Sequence, residues 1–292
     1  MRILLAIDGS EGNQNLVGEI LEQAWPVGAC FDVLHVAEPM HLWKQPHPEE
    51  QFQDQAHEAV TDALFALSER GWQCSRQFRE GDAKTVILDV ADEICADLIL
   101  VGSRRHSSVS RFLLGSVSAA VLRHAKCSVQ IVRPRVHEFR AESTYRILLA
   151  TDGSAKSLAA AGAISSRPWK KQTEIRVVSV VELILPPTST LVKPSDPGFP
   201  PDPEAFQQAK KSAQNAAGEA AKILSRIHAH PSEAILIVSE GAKNAILDEA
   251  KRWEANCIFL GSHGIRGFDR FLLGSVSEAV ATHAHCCVEV VR

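Results

Sequence analysis

Nowhere in its 292 residues does the chain hold an apolar run near the roughly 18 residues of a membrane span. Its opening, Met1-Arg2-Ile3-Leu4-Leu5-Ala6-Ile7-Asp8, meets a charge too soon to hold a signal-peptide core. The expectation is a soluble, cytoplasmic protein with no membrane partner. Charge of one sign is lacking as well. Against 31 Lys plus Arg stand 35 Asp plus Glu, a formal net charge of -4, and no segment gathers five or six like charges. A dedicated nucleic-acid binder shows a basic surplus, so no nucleic-acid partner is expected. Cysteine is sparse and odd in number. The seven, at 30, 74, 95, 127, 257, 286 and 287, are scattered through a chain too large for a disulfide-stapled miniprotein, which fits a reducing compartment. With 45% hydrophobic and 23% charged residues the bulk of the chain is neither disordered nor low in complexity. Its length is about twice the ~150 residues that serve as a prior for one domain.

An internal repeat accounts for that length. Arg2-Ile3-Leu4-Leu5-Ala6-Ile7-Asp8-Gly9-Ser10 returns as Arg146 to Ser154 with one change, Ile7 to Thr151. Arg111-Phe112-Leu113-Leu114-Gly115-Ser116-Val117-Ser118 returns unchanged as Arg270 to Ser277. The offsets are 144 and 159, so the second copy carries about fifteen extra residues between the two matches. Pro186 to Pro203 holds seven of the fourteen prolines and reads as a long surface loop, a lid or rim following the second strand. Pro134 and the polar residues after it separate the copies, giving domains 1–137 and 145–292.

Each copy alternates strand and helix. Ile3 to Ile7, Phe31 to Val36, Leu98 to Val101 and Val129 to Val132 are short apolar runs, as are Ile175 to Val181, Ile235 to Val238, Ile258 to Leu260 and Val288 to Val291. Between them Leu16, Ile20 and Leu21 share one helical face after a Ser10 cap, and Val86, Ile87, Val90 and Ile94 share another after Asp82. Ala245, Ile246 and Ala250 do the same in copy two. The pattern is that of a doubly wound α/β domain, whose ligands bind beyond the carboxyl ends of the strands at the switch point. The last strand of each copy is an apolar edge. The two are expected to pair as a pseudo-dimer within one chain.

The loops after strands one and four carry the candidate chemistry. In copy two Gly261-Ser262-His263-Gly264 is followed, nine residues on, by Gly274-Ser275-Val276-Ser277 opening a helix. Glycines let a backbone approach an anion, and the hydroxyls and free amides of a helix N-terminus donate to it. Asp152-Gly153 after strand one faces the same crevice. The plain alternative is a Gly-Ser helix cap and an Asp-Gly turn with no ligand. Convergence of three glycines, two serines and an aspartate on the switch point favours the ligand.

These motifs, with a closing Cys-x-Val-x-x-Val strand at Cys127 and at Cys286, resemble the universal stress protein family, in two tandem copies covering nearly the whole chain. The resemblance implies Rossmann-like (adenine nucleotide alpha hydrolase-like) domains, each a five-stranded parallel sheet of order 3-2-1-4-5 flanked by helices, cytosolic and dimerising through the last strand. One branch of the family binds ATP and another lacks the glycines. It implies a stress-response regulator that takes ATP or another adenine nucleotide, with Mg2+ as its companion ion, acting on an unidentified protein partner and open to homodimer formation. By it Asp152 faces the nucleoside, the strand-two end at Val180 and Val181 borders the base, and Gly261, Gly264, Gly274, Ser275 and Ser277 hold ribose and phosphates, with Gly153, Ser262, His263 and Val276 completing the set.

Copy one departs at one place. Its corresponding set is Asp8, Val36, Gly102, Arg105, Gly115, Ser116, Val117 and Ser118, so Arg105 stands where copy two has Gly264. An arginine there distorts the loop, pairs with a phosphate, or is merely solvated. His283, His285, Cys286 and Cys287 have metal-like spacing, but the repetition of Cys127 and Cys286 points to small core residues, and no metal site is expected. No Gly-x4-Gly-Lys-Ser/Thr and no Ser-Gly-Gly-x-Asp-Ser occurs, which leaves weak ATP hydrolysis at most. The remaining alternative is a scaffold that binds no nucleotide and acts through protein contacts.

Overall fold

The computed structural model describes residues 1–9, 12–38, 49–103, 114–133, 144–182, 203–227, 231–238, 241–265 and 273–292. In the first half these form β1 (Arg2–Ile7), α1 (Gly12–Glu22), β2 (Cys30–Ala37), α2 (Glu49–Ser68), β3 (Gln73–Glu80), α3 (Ala83–Glu93), β4 (Leu98–Gly102), α4 (Ser116–His124) and β5 (Ser128–Val132). The second half repeats them as β6 (Arg146–Ala150), α5 (Ala155–Ser165), β7 (Glu174–Glu182), α6 (Pro203–Leu224), β8 (Ser232–Val238), α7 (Ala242–Arg252), β9 (Cys257–Gly261), α8 (Ser275–His283) and β10 (Cys287–Val291). Asp82 caps α3 by accepting from the Thr85 amide at 3.2 Å, as its position before an apolar helical face suggests. Pro203, the last proline of the rich segment, is the first residue of α6, where its missing N–H costs nothing. The rest of that segment, the expected lid, lies outside the described residues, as does Ser10.

The strands form one sheet in the order β3-β2-β1-β4-β5-β10-β9-β6-β7-β8. Within each half the order is 3-2-1-4-5 and every neighbouring pair is parallel. The resemblance implies a five-stranded sheet in each half, and the apolar last strands of the two are expected to pair. The structure fuses the two sheets, because β5 and β10 pair antiparallel, with Val288 opposite Ile131, Glu289 opposite Gln130 and Val290 opposite Val129. The strands read as apolar edges are thus interior, and the edges of the whole sheet are β3 and β8. That placement explains why β3 escapes the apolar-run criterion. Its sequence Gln-Cys-Ser-Arg-Gln-Phe-Arg-Glu is polar and mostly exposed, with edge charges that discourage pairing with a further chain.

Alternation along the interior strands sends Ile3, Leu5, Ile147 and Leu149 to one face, under α1, α2, α5 and α6. It sends Leu4, Ile99, Leu148 and Ile258 to the other, under α3, α4, α7 and α8. Each of the two cores contains residues of both halves. Two arginines bind the halves further by a reciprocal exchange. Arg133, just after β5, donates through Nη2 to the Ala281 and Thr282 carbonyls in the last turn of α8, at 2.7 and 2.9 Å. Arg292, just after β10, donates to the Leu122 and Arg123 carbonyls in the last turn of α4, at 2.6 and 3.3 Å. Each guanidinium thereby satisfies carbonyls that a helix end leaves open, and its charge meets the negative end of the helix dipole. Burial pushes the pKa of both below the usual arginine value.

With one sheet and shared cores, urea should unfold the chain in a single transition seen alike by fluorescence and circular dichroism. Arg133→Ala should lower its stability by about 1.5–3 kcal/mol, the scale of hydrogen bonds made by a charged donor. Two separated transitions in the unmodified chain would contradict the shared core.

Candidate functional site

The strand-one and strand-four loops of the second half meet at the carboxyl ends of β6 and β9, where the chain leaves β6 toward β7 on one side while β9 lies on the other. Thr151 starts the first loop. Its amide donates to the Val178 carbonyl at 2.9 Å, and its buried hydroxyl accepts from the Gly153 amide at 3.2 Å and lies 2.9 Å from the Ser157 hydroxyl. Gly153 turns the chain with φ +80, a conformation that glycine takes without penalty, and a Cβ there would come within 3.1 Å of Ala216 on α6. Ser154 caps α5, accepting from the Ser157 amide at 3.3 Å. The first turn of α5 then presses on the end of β9. A Cβ on Gly261 would lie 2.5 Å from the Lys156 carbonyl carbon and 2.6 Å from the Ser157 nitrogen, so only glycine fits.

The second loop is locked to the first by Asp152. One carboxylate oxygen accepts from the Ser154 amide at 3.0 Å and the other from the Ile265 amide at 2.8 Å. Gly264 must remain without a side chain for that lock, since its Cβ would fall 2.6 Å from the same oxygen. The glycine is therefore not there to supply a positive φ; it is there because Asp152 occupies the space. Burial pushes the Asp152 pKa up, but hydrogen bonds from Ser154, Ile265 and Ser157 outweigh it and hold the carboxyl below the ordinary aspartate value. His263 sits between. Its Nδ1 lies 3.0 Å from the Ser262 hydroxyl, its carbonyl accepts from the Ser154 hydroxyl at 3.3 Å, and its Nε2 is buried with no hydrogen-bond partner among the described residues. Burial, aided by Arg292 and Lys156, lowers the His263 pKa, which favours the neutral ring at pH 7.

α8 opens beside this loop. Its cap is Gly274, extended at φ -64 and ψ 143, whose amide donates to the Ser262 carbonyl at 2.8 Å and which offers no side-chain acceptor to the first-turn amides. Ser275 is exposed and Val276 half-buried. Ser277, expected at the phosphates, is buried instead, and its hydroxyl donates to the Gly261 carbonyl at 2.7 Å, fixing α8 to β9. Val180 is half-buried and packs into the core cluster under α7 and α8, while Val181 is buried at the end of β7. Three positions that pattern reading passed over take part. Thr151, the one change in the nine-residue repeat, organises the first turn. Ser154 bonds across the cleft. Glu182, ending β7, accepts from the Ala242 amide at 2.8 Å and so caps α7; Glu38 does the same for the Ala83 amide of α3 at 3.3 Å.

The first half repeats the scaffold. Ser118 donates to the Gly102 carbonyl at 2.6 Å, the Gly115 amide donates to the Ser103 carbonyl at 2.7 Å, and Gly9 turns with φ +79 against Ala56. Gly115 caps α4 with no side chain, Ser116 is exposed, Val117 and Asp8 are half-buried and Val36 is buried. At Gly102, among the described residues, an added Cβ would meet Leu16 Cδ1 at 3.9 Å. Ile7 stands in place of Thr151, and its carbonyl pairs with Nδ1 of the buried His35 at 3.0 Å. Arg105 lies outside the described residues.

Among the described residues no group of three or more His, Cys, Asp or Glu side chains is placed to hold a metal ion. Cys286 and Cys287 are buried, and burial raises the Cys286 thiol to about 12 and Cys127 to about 11. Asp152 accepts an amide proton on each oxygen. Among the described residues no helix is long and apolar enough to cross a membrane.

A family model described as the universal stress protein family matches residues 1–133 and 144–292. A universal stress protein of Mycolicibacterium smegmatis is 26% identical over 241 residues, 82% of this chain and 75% of that protein. A protein of Staphylococcus saprophyticus named as a universal stress protein is 28% identical over 137 residues, 45% of this chain and 82% of that one. Among solved structures, a universal stress protein from Archaeoglobus fulgidus superposes with a TM-score of 0.62 at 22% identity, covering 100% of this chain and 96% of that one.

The Asp152 lock should be visible in solution. Because its pKa is depressed, the lock is fully present above the ordinary aspartate value and is lost as pH falls through the lower folded value. The Ser154 and Ile265 amide resonances should titrate together below the ordinary aspartate range, and Asp152→Ala should abolish that titration. Amides that titrate independently would break the assignment.

Proposed function

We propose, from the premise that the chain belongs to the universal stress protein family, that its second half binds one adenine nucleotide and that the bound state shifts a conformational or assembly equilibrium in a stress response. The observation that carries the reading is the opening of α8 on a bare glycine cap, next to a glycine-bearing loop, at the switch point of the sheet. The first-turn amides at Ser275 and Val276 then meet phosphate, to which a helix N-terminus is suited by its unpaired N–H groups and its dipole. Gly261 and Gly264 keep the loop thin enough for close approach, and His263 lies between them. Val180 and Val181 flank the base at the end of β7, and Asp152 borders the nucleoside. Ser277 serves this site as scaffold. Mg2+, where it takes part, arrives on the phosphates.

The reading is of binding and not of turnover, since the chain carries no phosphate-loop lysine motif. In the first half, the replacement of Gly264 by Arg105 and of Thr151 by Ile7 favours a scaffold role through protein contacts. We take the two units as residues 1–137 and 145–292. Titration calorimetry with ATP should find one strong site per chain. Gly264→Arg should remove it, because a side chain there collides with the Asp152 carboxylate, and Arg105→Gly should add a second, weaker site. Two equal sites in the unmodified chain, or none with no nucleotide co-purifying, would defeat the proposal.

A further inference from the structure

The repeat assigns every residue at the β5·β10 seam a counterpart in the other half. Trp25 and Trp169 are such a pair, each donating its ring N–H five residues back, to the Ile20 and Ile164 carbonyls at 2.8 Å. By the same offsets Gln23 corresponds to Arg167, Glu19 to Ala163, Met1 to Tyr145 and Gln130 to Glu289. Since Glu289 lies directly opposite Gln130, the local twofold passes between them. Both are almost wholly buried, at 1% and 0% exposure.

The contacts around that axis are one-sided. Arg167, itself buried, donates to Glu289 at 2.5 Å and reaches across to Gln23 Oε1 at 3.4 Å. Its guanidinium lies 4.9 Å from the Trp25 ring centre of the first half and 5.3 Å from that of Phe259. Tyr145 donates its hydroxyl across the seam to the buried Glu19 at 2.6 Å. A seam made from two second halves would place Glu289 against Glu289 and a second Arg167 where Gln23 now stands, and would leave Tyr145 facing Ala163. A seam of two first halves would hold no ion pair and would bury Glu19 without the tyrosine hydroxyl. The unlike combination places a single buried ion pair at the axis, where two second halves would crowd two carboxylates and two guanidinium groups together. Removing a partner from such a pair is costly because a lone buried charge remains, and like charges directly opposite in a sheet repel.

We infer that Glu289, Gln130 and Arg167, supported by Glu19 and Tyr145, make this seam specific for unlike halves. The β10 edge of the second half fits the β5 edge of a first half and rejects a second copy of itself, so the chain closes internally through the strand that its resemblance assigns to dimerisation. Any homodimer must then use another surface. The inference is independent of whether nucleotide binds.

A cycle of full-length variants tests it, with urea midpoint as the readout. Gln130→Glu sets a second carboxylate at the axis and should lower the midpoint. Glu289→Gln strands Arg167 and should lower it too. Gln130→Glu combined with Glu289→Gln moves the single carboxylate across the axis, still beside Arg167, and should stand above both single variants. The same substitution then harms in one background and helps in the other. Should Gln130→Glu fail to fold, recovery of soluble, folded protein in the double variant carries the same meaning. A double variant no better than the worse single, or Gln130→Glu at the unmodified midpoint, would overturn the inference.

Discussion

The antiparallel contact between β5 and β10 governs the rest of the molecule, because a parallel α/β sheet ends in strands whose unpaired N–H and C=O groups and apolar side chains must be covered. Here each half covers the other's last strand. Of the four edges that two such sheets present, the pairing removes two and leaves β3 and β8, where the polar sequence of β3 tolerates exposure. Both cores run through the seam, and Arg133 and Arg292 close the ends of α8 and α4 across it. The arginines extend the contact to the cleft as well. Val291, the residue before Arg292, accepts from the Ser262 amide of the glycine loop, so the loop and the inter-half clamp hang on the same strand end.

Two demands act on the cleft of the second half, and both concern space. α5 packs so tightly on β9 that Gly261 can carry no Cβ, and Asp152 leans over Gly264 to hold the Ile265 amide. The thinness of the loop thus follows from contacts within the protein, before any ligand is considered. A loop pinned in this way pays less entropy when it receives an anion, the general advantage of a preorganised site. The first half keeps the Ser118 and Gly115 contacts that place α4. The scaffold is common to both halves, and the sequence of the loop at Arg105 and Gly264 is not.

The sequence made much of this legible. Repetition of nine- and eight-residue segments exposed the duplication, apolar runs marked the interior strands, and Asp82 marked a helix start that is present. The 3-2-1-4-5 order came through resemblance and not through periodicity, since periodicity carries no information on which strands are neighbours. β3 was missed for a physical reason: an edge strand with both faces largely exposed need not be apolar. The contact that requires Gly264 is not legible, because a glycine in a string looks the same whether it supplies a conformation or makes room for the Asp152 carboxylate that holds the Ile265 amide. The Ser277 contact is hidden for the same cause; its partner, the Gly261 carbonyl, is fixed only by the packing of α8 on β9.

Fusion of the halves explains why asymmetry is found at both the cleft and the seam. In a true homodimer every residue on the twofold faces itself, so an ion pair cannot sit on the axis, and a change in one binding loop is a change in both. Covalent duplication removes that constraint. Gln130 and Glu289 are free to differ, a single buried Arg167–Glu289 pair becomes permissible beside the axis, and Arg105 is able to replace a glycine in one loop while Gly264 stays in the other. Burying one ion pair contributes little to stability by itself, as its desolvation offsets most of the attraction. What it adds is discrimination: the seam distinguishes the two halves, and a chain whose halves are not interchangeable can reserve one for ligand and the other for contact.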